Sequence, residues 1–369
     1  MKRERDKKFM REVFRLAEKG RGTTSPNPMV GAVVVKGNRI VGRGYHKRAG
    51  SPHAEVIALK EAGEKARGAI LYINLEPCVH YGRTPPCAPR IIEAGVKRVV
   101  IAMLDPNPKV NGRGVAMLRE AGIDVEVGIE EEKARELNEF YIKHITTGLP
   151  FIILKWAMSL DGKIATYTGD SRWISGEKAR VFVHSLRNQV DGIIVGIGTV
   201  LCDNPILTVR NVPAKKQPLR IIIDPALSFP LNARMLKEKG GDVLIFTCDN
   251  GYKNKKENFL MENVEVIPCG KERVDIENML KILGKRGITS LLVEGGNRVF
   301  TEFLEKGLVD KIYAIVSPVL LGGEKALTPF GGKGVERVEE GIRFRKIRWF
   351  FRGEDVIMEG YPKIGDELF

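Results

Sequence analysis

No apolar run in this 369-residue chain approaches the roughly 20 residues that span a bilayer, so no membrane-crossing helix is expected. The opening residues, Met1-Lys2-Arg3-Glu4-Arg5-Asp6, carry charge without an apolar stretch, which predicts no signal peptide. Cysteine is scarce: five residues, widely scattered and odd in number. Such a set builds no disulfide framework and fits a reducing cytoplasm. There is no internal repeat, no low-complexity segment, and no basic tract with interleaved aromatics, so nucleic acid is not expected as a partner. The net charge is nonetheless +14. Its lysines and arginines are interleaved with acids along most of the chain, which fits anionic small molecules or a solvated surface. No G-x-G-x-x-G follows a strand, so the usual dinucleotide fingerprint is missing too.

What is present is a soluble, globular composition, 43% hydrophobic, long enough for two domains with separate cores. Residues 6–19 place Phe9, Met10, Val13, Phe14 and Ala17 on one helical face. A turn, Thr23 to Pro28, leads into a strand Met29–Val35 and a hairpin return Arg39–Tyr45. A helix begins near His53. Strands Ala69–Leu75, Arg98–Leu104 and Asp124–Val127 then alternate with helices ending at Glu93, spanning Gly114–Glu120 and spanning Glu130–His144. This predicts a first α/β domain over 1–146. Residues 147–150 read as a linker, and a second α/β domain is expected over 151–369. Its strands are Phe151–Ala157, Gly192–Val195, Leu219–Asp224, Asp242–Thr247, Ile288–Glu294 and Lys311–Val316. Its helices are Glu177–Gln189, Ile276–Lys285 and Arg298–Lys306, and a hairpin about Gly353 closes the chain.

The chemistry of the first half lies in His53-Ala54-Glu55 and, further on, Glu76-Pro77-Cys78 and Cys87. A histidine and two cysteines are three soft ligands for zinc, and three leave the fourth tetrahedral position open to water. Glu55, two residues from His53, is near enough to carry protons. The pattern H-x-E…P-C-x-x-C marks zinc nucleobase deaminases. Here the second half departs from it, because eight residues, Val79 to Pro86, separate the cysteines. Cys87 directly precedes a short helical run ended by Gly95, and a helix N-terminus favours a thiolate. His80 is an alternative ligand, and a purely structural zinc would take His80 or His46 as its fourth.

The second half is less explicit. Gly196-Ile197-Gly198-Thr199-Val200 follows a strand and reads as running into an irregular Leu201-Cys202-Asp203-Asn204-Pro205, not a helix. Val293-Glu294-Gly295-Gly296-Asn297-Arg298 reads as a strand end, two glycines and a helix start. That arrangement offers backbone N–H groups to an anion such as a cofactor phosphate. A tight turn that simply needs glycine accounts for it equally. Arg187 and Arg210 are candidates for a phosphate on the substrate, since guanidinium binds it in bidentate fashion. Trp173 reads as part core and part pocket wall.

Taken together, these stretches resemble the bifunctional riboflavin-biosynthesis enzymes that join a pyrimidine deaminase to a pyrimidine reductase. In the first half the matching text is Ser25-Pro26-Asn27-Pro28-Met29-Val30-Gly31, His53-Ala54-Glu55, and Glu76-Pro77-Cys78 through Pro86-Cys87 with the long spacer. In the second it is Ser159-Leu160-Asp161-Gly162, Ser171-Arg172-Trp173-Ile174, Gly198-Thr199-Val200, Asp203 through Arg210, and Val293-Glu294-Gly295-Gly296. The resemblance implies a cytidine-deaminase-like α/β/α sandwich followed by a dihydrofolate-reductase-like α/β domain. It implies that a diamino-ribosylamino-pyrimidinone phosphate loses its ring amino group as ammonia, and that NADPH then reduces the ribosyl group to ribityl.

By position, it further implies His53, Cys78 and Cys87 as zinc ligands and Glu55 as proton shuttle. NADPH contacts fall at Ala157, Trp173, Thr199, Asp203, Gly296, Asn297 and Arg298. Substrate contacts fall at Ser171, Arg187, Leu207, Arg210 and Glu294, with Asn27 holding the pyrimidine in the deaminase. Asp203 and Glu294 are candidate proton donors in the reduction. A homodimer or homotetramer is expected. The alternative is a tRNA or nucleic-acid zinc deaminase with an accessory domain. It predicts the short cysteine spacing and leaves the second half unexplained.

Overall fold

The computed structural model describes residues 2–82 and 84–363; Arg83, inside the cysteine spacer, and the expected end of the second domain at 369 lie outside them. The chain divides into two compact units at Gly148/Leu149.

The first unit runs α1 (Lys2–Ala17), β1 (Gly31–Lys36), β2 (Arg39–Tyr45), α2 (Ala54–Ala62), β3 (Ile70–Leu75) and α3 (Cys87–Glu93). It continues with β4 (Arg98–Met103), α4 (Arg113–Glu120), β5 (Asp124–Val127), α5 (Glu131–Leu137) and α6 (Glu139–Thr147). Its five-stranded sheet has the order β2-β1-β3-β4-β5. β1 is antiparallel to both β2 and β3, and β3, β4 and β5 are parallel. Every residue of β3 and β4 is buried, as expected of parallel strands covered on both faces.

Close packing then sets the start of α2. A Cβ on Gly44 would lie 2.0 Å from the Ala54 carbonyl oxygen, and one on Gly42 would lie 2.1 Å from that of Ala58. Two glycines at strand spacing therefore meet Ala54, Ala58 and Ala62 at helical spacing. The helix lies directly on the strand backbone, and its first turn has little room to move.

The helix expected over Glu130–His144 is instead two, α5 and α6, broken at Asn138 (φ −108°, ψ 22°). The buried Asn138 amide accepts from the Met29 N–H at 2.7 Å and donates to the Met29 carbonyl at 3.1 Å. A long-range contact, invisible to local periodicity, overrides the helical pattern there.

The second unit runs β6 (Phe151–Ser159), α7 (Glu177–Arg187), β7 (Gly192–Gly196), α8 (Ile197–Asp203), β8 (Leu219–Ile223), α9 (Arg234–Lys237), β9 (Val243–Thr247) and α10 (Asp249–Lys255). Then come β10 (Val264–Pro268), α11 (Ile276–Lys285), β11 (Ser290–Gly295), α12 (Asn297–Glu305), β12 (Lys311–Ser317), β13 (Phe344–Arg352) and β14 (Asp355–Pro362). The nine-stranded sheet has the order β10-β9-β8-β7-β11-β6-β12-β14-β13. All are parallel from β10 to β12, and the final hairpin adds two antiparallel strands. From β7 the chain winds towards β10, whereas from β11 it winds the other way. The carboxyl ends of β7 and β11 therefore flank the switch point, where open α/β sheets bind ligands.

Two expectations change here. The stretch after β7 is helical, not irregular: Asn204, in the left-handed region at φ 41°, ends α8 and does not prevent it. Sequence reading also missed β10, α9 and α10. β10 is a partly exposed edge strand, and Asp249–Lys255 offers almost no apolar periodicity.

Candidate functional site

In the first unit the side chains meet where β3, α2 and α3 converge. His53 caps the start of α2, Cys78 follows β3, and Cys87 opens α3. His53 Nδ1 lies 3.2 Å from Cys87 Sγ and 3.6 Å from Cys78 Sγ, and the three donor atoms lie within 4.8 Å of one another. A tetrahedral zinc with ordinary Zn–N and Zn–S bonds separates such donors by about 3.5 Å. The donor set thus fits zinc in chemistry and in spacing. Among the described residues, this is the one cluster of three or more such ligands; His46 and His80 stand outside it.

The long spacer is used. It loops out and returns so that the Cys87 and Ala88 N–H groups both donate to the Cys78 carbonyl at 3.1 Å. Within it, Thr84 Oγ1 lies 3.1 Å from His53 Nε2. That contact occupies one ring nitrogen and leaves Nδ1 to face the two sulfurs. The Cys78 thiol is held down at about 4, first by its hydrogen bond with Cys87 and then, against burial, by that with His53. Without metal, the hydrogen bond with Cys78 and burial push the Cys87 thiol up, against the thiolate that its place at a helix N-terminus favours. Glu55 is buried, its carboxyl pushed up to about 7 by that burial, and its Oε2 has no hydrogen-bond partner. A carboxyl so placed can both take and return a proton near neutrality.

These groups open on a cavity of about 370 Å³ lined by four of the chain's five histidines, His46, His53, His80 and His144. Asn27 lines it too, its amide 3.1 Å from His46 Nε2. Sequence reasoning missed the opposite wall, Asp105, Asn107 and Tyr141. There the Tyr141 hydroxyl donates to Asp105 Oδ1 at 2.8 Å, and burial raises the Asp105 carboxyl to about 6. The signal was present as Asp105-Pro106-Asn107-Pro108, a turn directly after a buried parallel strand.

In the second unit the named residues gather in three groups. Around the β7–β11 switch point, a Cβ on Gly295 would lie 2.8 Å from Thr199 Oγ1, so the two glycine turns touch. Gly296, at φ 91°, precedes α12, and Asn297 donates to the Thr328 carbonyl at 2.7 Å. Arg298 is exposed. A second group joins Ser171 Oγ to Asp203 Oδ1 at 3.2 Å, beside Trp173, which is 67% exposed and lies under Arg180 at 4.6 Å. Ala157, near the end of β6, is half-buried.

The third group is an ion network. Glu294 pairs with Arg187 Nη2 at 2.9 Å and with Lys155 Nζ at 3.1 Å. Arg187 Nη1 also donates to the Thr208 carbonyl at 3.1 Å, so each nitrogen of its guanidinium makes one bond within the protein. Burial works to raise the Glu294 carboxyl, but Arg187 and Lys155 outweigh it and hold the group well below the usual range. A carboxyl held this way is an anion paired with both cations. Lys155 was not among the residues singled out from sequence; it sits inside an apolar strand that reads as core. The Arg210 N–H donates to His184 Nδ1 at 3.4 Å. Burial, with Arg187 and Arg210 nearby, lowers His184 to about 4, so the ring is neutral at pH 7. Leu207 is buried.

Comparison with known proteins places both units. Residues 3–103 match the family described as the cytidine and deoxycytidylate deaminase zinc-binding region, and residues 150–358 match the RibD C-terminal domain. The riboflavin biosynthesis protein RibD of Aquifex aeolicus is 47% identical over 97% of this chain and 99% of its own. That of Escherichia coli is 41% identical over 93% and 96%. Among solved structures, Acinetobacter baumannii RibD superposes with a TM-score of 0.88 at 37% identity, covering 98% of this chain and 100% of that one. A diaminohydroxyphosphoribosylaminopyrimidine deaminase/5-amino-6-(5-phosphoribosylamino)uracil reductase from Thermotoga maritima gives 0.85 at 39%, covering 98% and 100%.

Proposed function

The chain belongs to the RibD family of riboflavin biosynthesis proteins, and from that premise we propose how its two sites divide the chemistry. It is a bifunctional enzyme of riboflavin biosynthesis, a zinc-dependent deaminase joined to an NADPH-dependent reductase. The observation that carries the first assignment is the His53, Cys78 and Cys87 cluster with buried Glu55 beside it. The nucleic-acid alternative has nothing to recommend it, because the relatives match the second unit as well as the first.

In the first site, His53, Cys78 and Cys87 would hold zinc, which would supply a water activated at neutral pH. As the oxygen adds to the amino-bearing ring carbon and the C–N bond breaks, Glu55 would carry the water's proton to the departing nitrogen, which leaves as ammonia. Asn27, braced by His46, and the Asp105–Asn107 wall hold the ring, their amide and carboxyl groups matching its polar edge. The enclosed cavity restricts the ring to one orientation, which is where much of the rate comes from.

In the second site, NADPH supplies a hydride for the ribosyl carbon that bears the amine, and the substrate is the phosphorylated product of the first. Thr199, Asp203, Gly296, Asn297, Arg298, Ala157 and Trp173 form the cofactor side of the switch-point cleft. Ser171, Leu207, Arg210 and Glu294 form the substrate side. Arg210 takes the phosphate, and Arg187 acts mainly by holding Glu294 and the Thr208 backbone. The bond from that carbon to the sugar's ring oxygen must break for the hydride to add, and Lys155, next to the fixed Glu294 anion, would give the proton that this oxygen takes up. Edge strand β13 exposes Ile347, Trp349 and Phe351 on one face, which supports a homo-oligomer. Five free cysteines fit a cytoplasmic location. No helix among the described residues is long and apolar enough to cross a membrane.

The test is one assay on purified protein with the diaminopyrimidine ribosyl phosphate, following ammonia and NADPH absorbance. Ammonia should appear without cofactor, and NADPH should be consumed once it is added. Absence of ammonia from zinc-loaded protein would overturn the first assignment, and ammonia without NADPH oxidation the second.

A further inference from the structure

One buried carboxylate in the first unit is used by none of the steps above. Glu76 lies between the last residue of β3 and Cys78, is 3% exposed, and faces no cation. Its two oxygens accept three backbone N–H groups: Val115 at 3.0 Å on Oε1, with Gly112 at 2.9 Å and Asp105 at 3.2 Å on Oε2. Two of these open α4, where a carboxylate satisfies donors that the helix leaves unpaired. The third opens the loop that carries Asp105 and Asn107 into the cavity. Gly114 allows this approach, since a Cβ there would lie 2.2 Å from the Pro77 carbonyl oxygen.

The neighbours at strand spacing behave alike. Asn74 is fully buried, accepts from the Gly31 N–H at 2.8 Å and donates to the Met29 carbonyl at 2.9 Å. It thereby fixes the stretch that carries Asn27. Cys78 is the metal ligand. Asn74, Glu76 and Cys78 occupy alternate positions of one extended run, and successive members hold one cavity wall, the other wall, and the metal.

We propose that Glu76 is a positioning residue for deamination: it ties the Asp105–Asn107 wall to the strand end that carries Cys78, and so sets the distance between pyrimidine and metal site. It lines the cavity, acts on the wall through backbone N–H groups, and is not one of the three zinc ligands. This rests on the reading of the cavity as the deaminase site.

The test is Glu76→Gln in the full-length, zinc-loaded enzyme. The amide keeps the shape but turns a donor towards N–H groups, so the wall must shift. The kcat for ammonia release should fall about 10- to 100-fold, with KM for the diaminopyrimidine phosphate changed far less. Zinc content, the visible spectrum of the cobalt-substituted protein, and NADPH-dependent reduction of the deaminated intermediate should stay as in wild type. Glu76→Asp keeps the charge with shorter reach; it should fall between the two, and it carries the test if Glu76→Gln does not fold. An unchanged kcat for ammonia release in either folded variant overturns the proposal, and so does a loss of zinc or an altered cobalt spectrum, which would make Glu76 a support of the metal and not of the wall. Failure of wild type itself to release ammonia would instead overturn the deaminase reading.

Discussion

Glu55 in the first unit and Glu294 in the second are both set deep in their sites, and the two are driven in opposite directions. Burial raises Glu55 to about 7, and the His53 ring and its hydrogen bonds oppose this only in part. Glu294 is just as deep, yet Arg187 and Lys155 overcome burial and keep it ionised. The difference is one of task. A carboxyl that must both accept and return a proton is useful only near its midpoint, so burial is set there against the zinc that the neighbouring cluster would hold, with no lysine or arginine fixed on it. A carboxylate that must orient a lysine and an arginine has to remain an anion, so two cations are fixed beside it. Nearby polar groups follow the same division. The first site is braced by neutral or singly charged side chains on backbone groups, the second by a charge network.

The sharpest way to break this comparison is to remove the proton carrier. Glu55→Gln should lower ammonia release by about 10³-fold or more while NADPH-dependent reduction of the deaminated intermediate continues. Loss of both activities in folded, zinc-loaded protein would mean that the sites are not independent. Next in size is Lys155→Met, which leaves Arg187 as the only cation on Glu294. Reduction should fall by about 10²-fold or more. Unfolding should also become easier by about 3–5 kcal/mol, as expected when a buried pair loses one partner; urea denaturation would register it, and ammonia release should persist. A smaller effect is expected for Arg210→Lys, where a bidentate contact becomes a point charge. KM of the reductase for its phosphorylated substrate should rise about tenfold, in line with one lost charge-assisted hydrogen bond, and deamination should not change.

The smallest effect is also the most diagnostic, because the glutamates predict opposite pH slopes. In zinc-free protein, folded Glu55 keeps its proton where the unfolded chain has lost it. Its contribution therefore falls as pH rises from about 4.5 to about 7. Glu294, with its folded value depressed, contributes fully above about 4.5 and loses that contribution as pH falls below it. Each slope should amount to about 1–3 kcal/mol in urea unfolding across a pH series. Glu55→Gln should remove the neutral-side slope above about 6 and leave the part below it that Asp105 contributes. A slope above about 6 that survives this substitution would assign it to another group.

Legibility in the sequence followed the locality of the signal. The alternation of strands and helices was readable because burial on both faces of a parallel strand leaves an apolar run. α5 and α6 read as one helix because what separates them is Asn138, whose partner Met29 is far away in sequence. The residues of the metal cluster were readable as a motif, but the purpose of the spacer was not. Thr84 acts only once the loop has closed and brought it to His53 Nε2. Asp105, Asn107 and Tyr141 were missed for a related reason: each is an ordinary turn or helix residue until β4 and α6 bring it to the cavity.

By itself the sequence determined the two α/β domains, the three candidate zinc ligands with a glutamate at hand, and a family resemblance that the relatives bear out. Those follow from residue type and short spacing, which no packing changes. Only the tertiary structure decided which carboxyl can move a proton. Glu55 and Glu294 are chemically the same side chain, each in a short motif at the edge of an element. In the metal-free protein their pKa values part because one is buried with no lysine or arginine on it while the other meets Lys155 and Arg187, far off in the chain. Electrostatic environment is a sum over neighbours in space, and the fold chooses the neighbours.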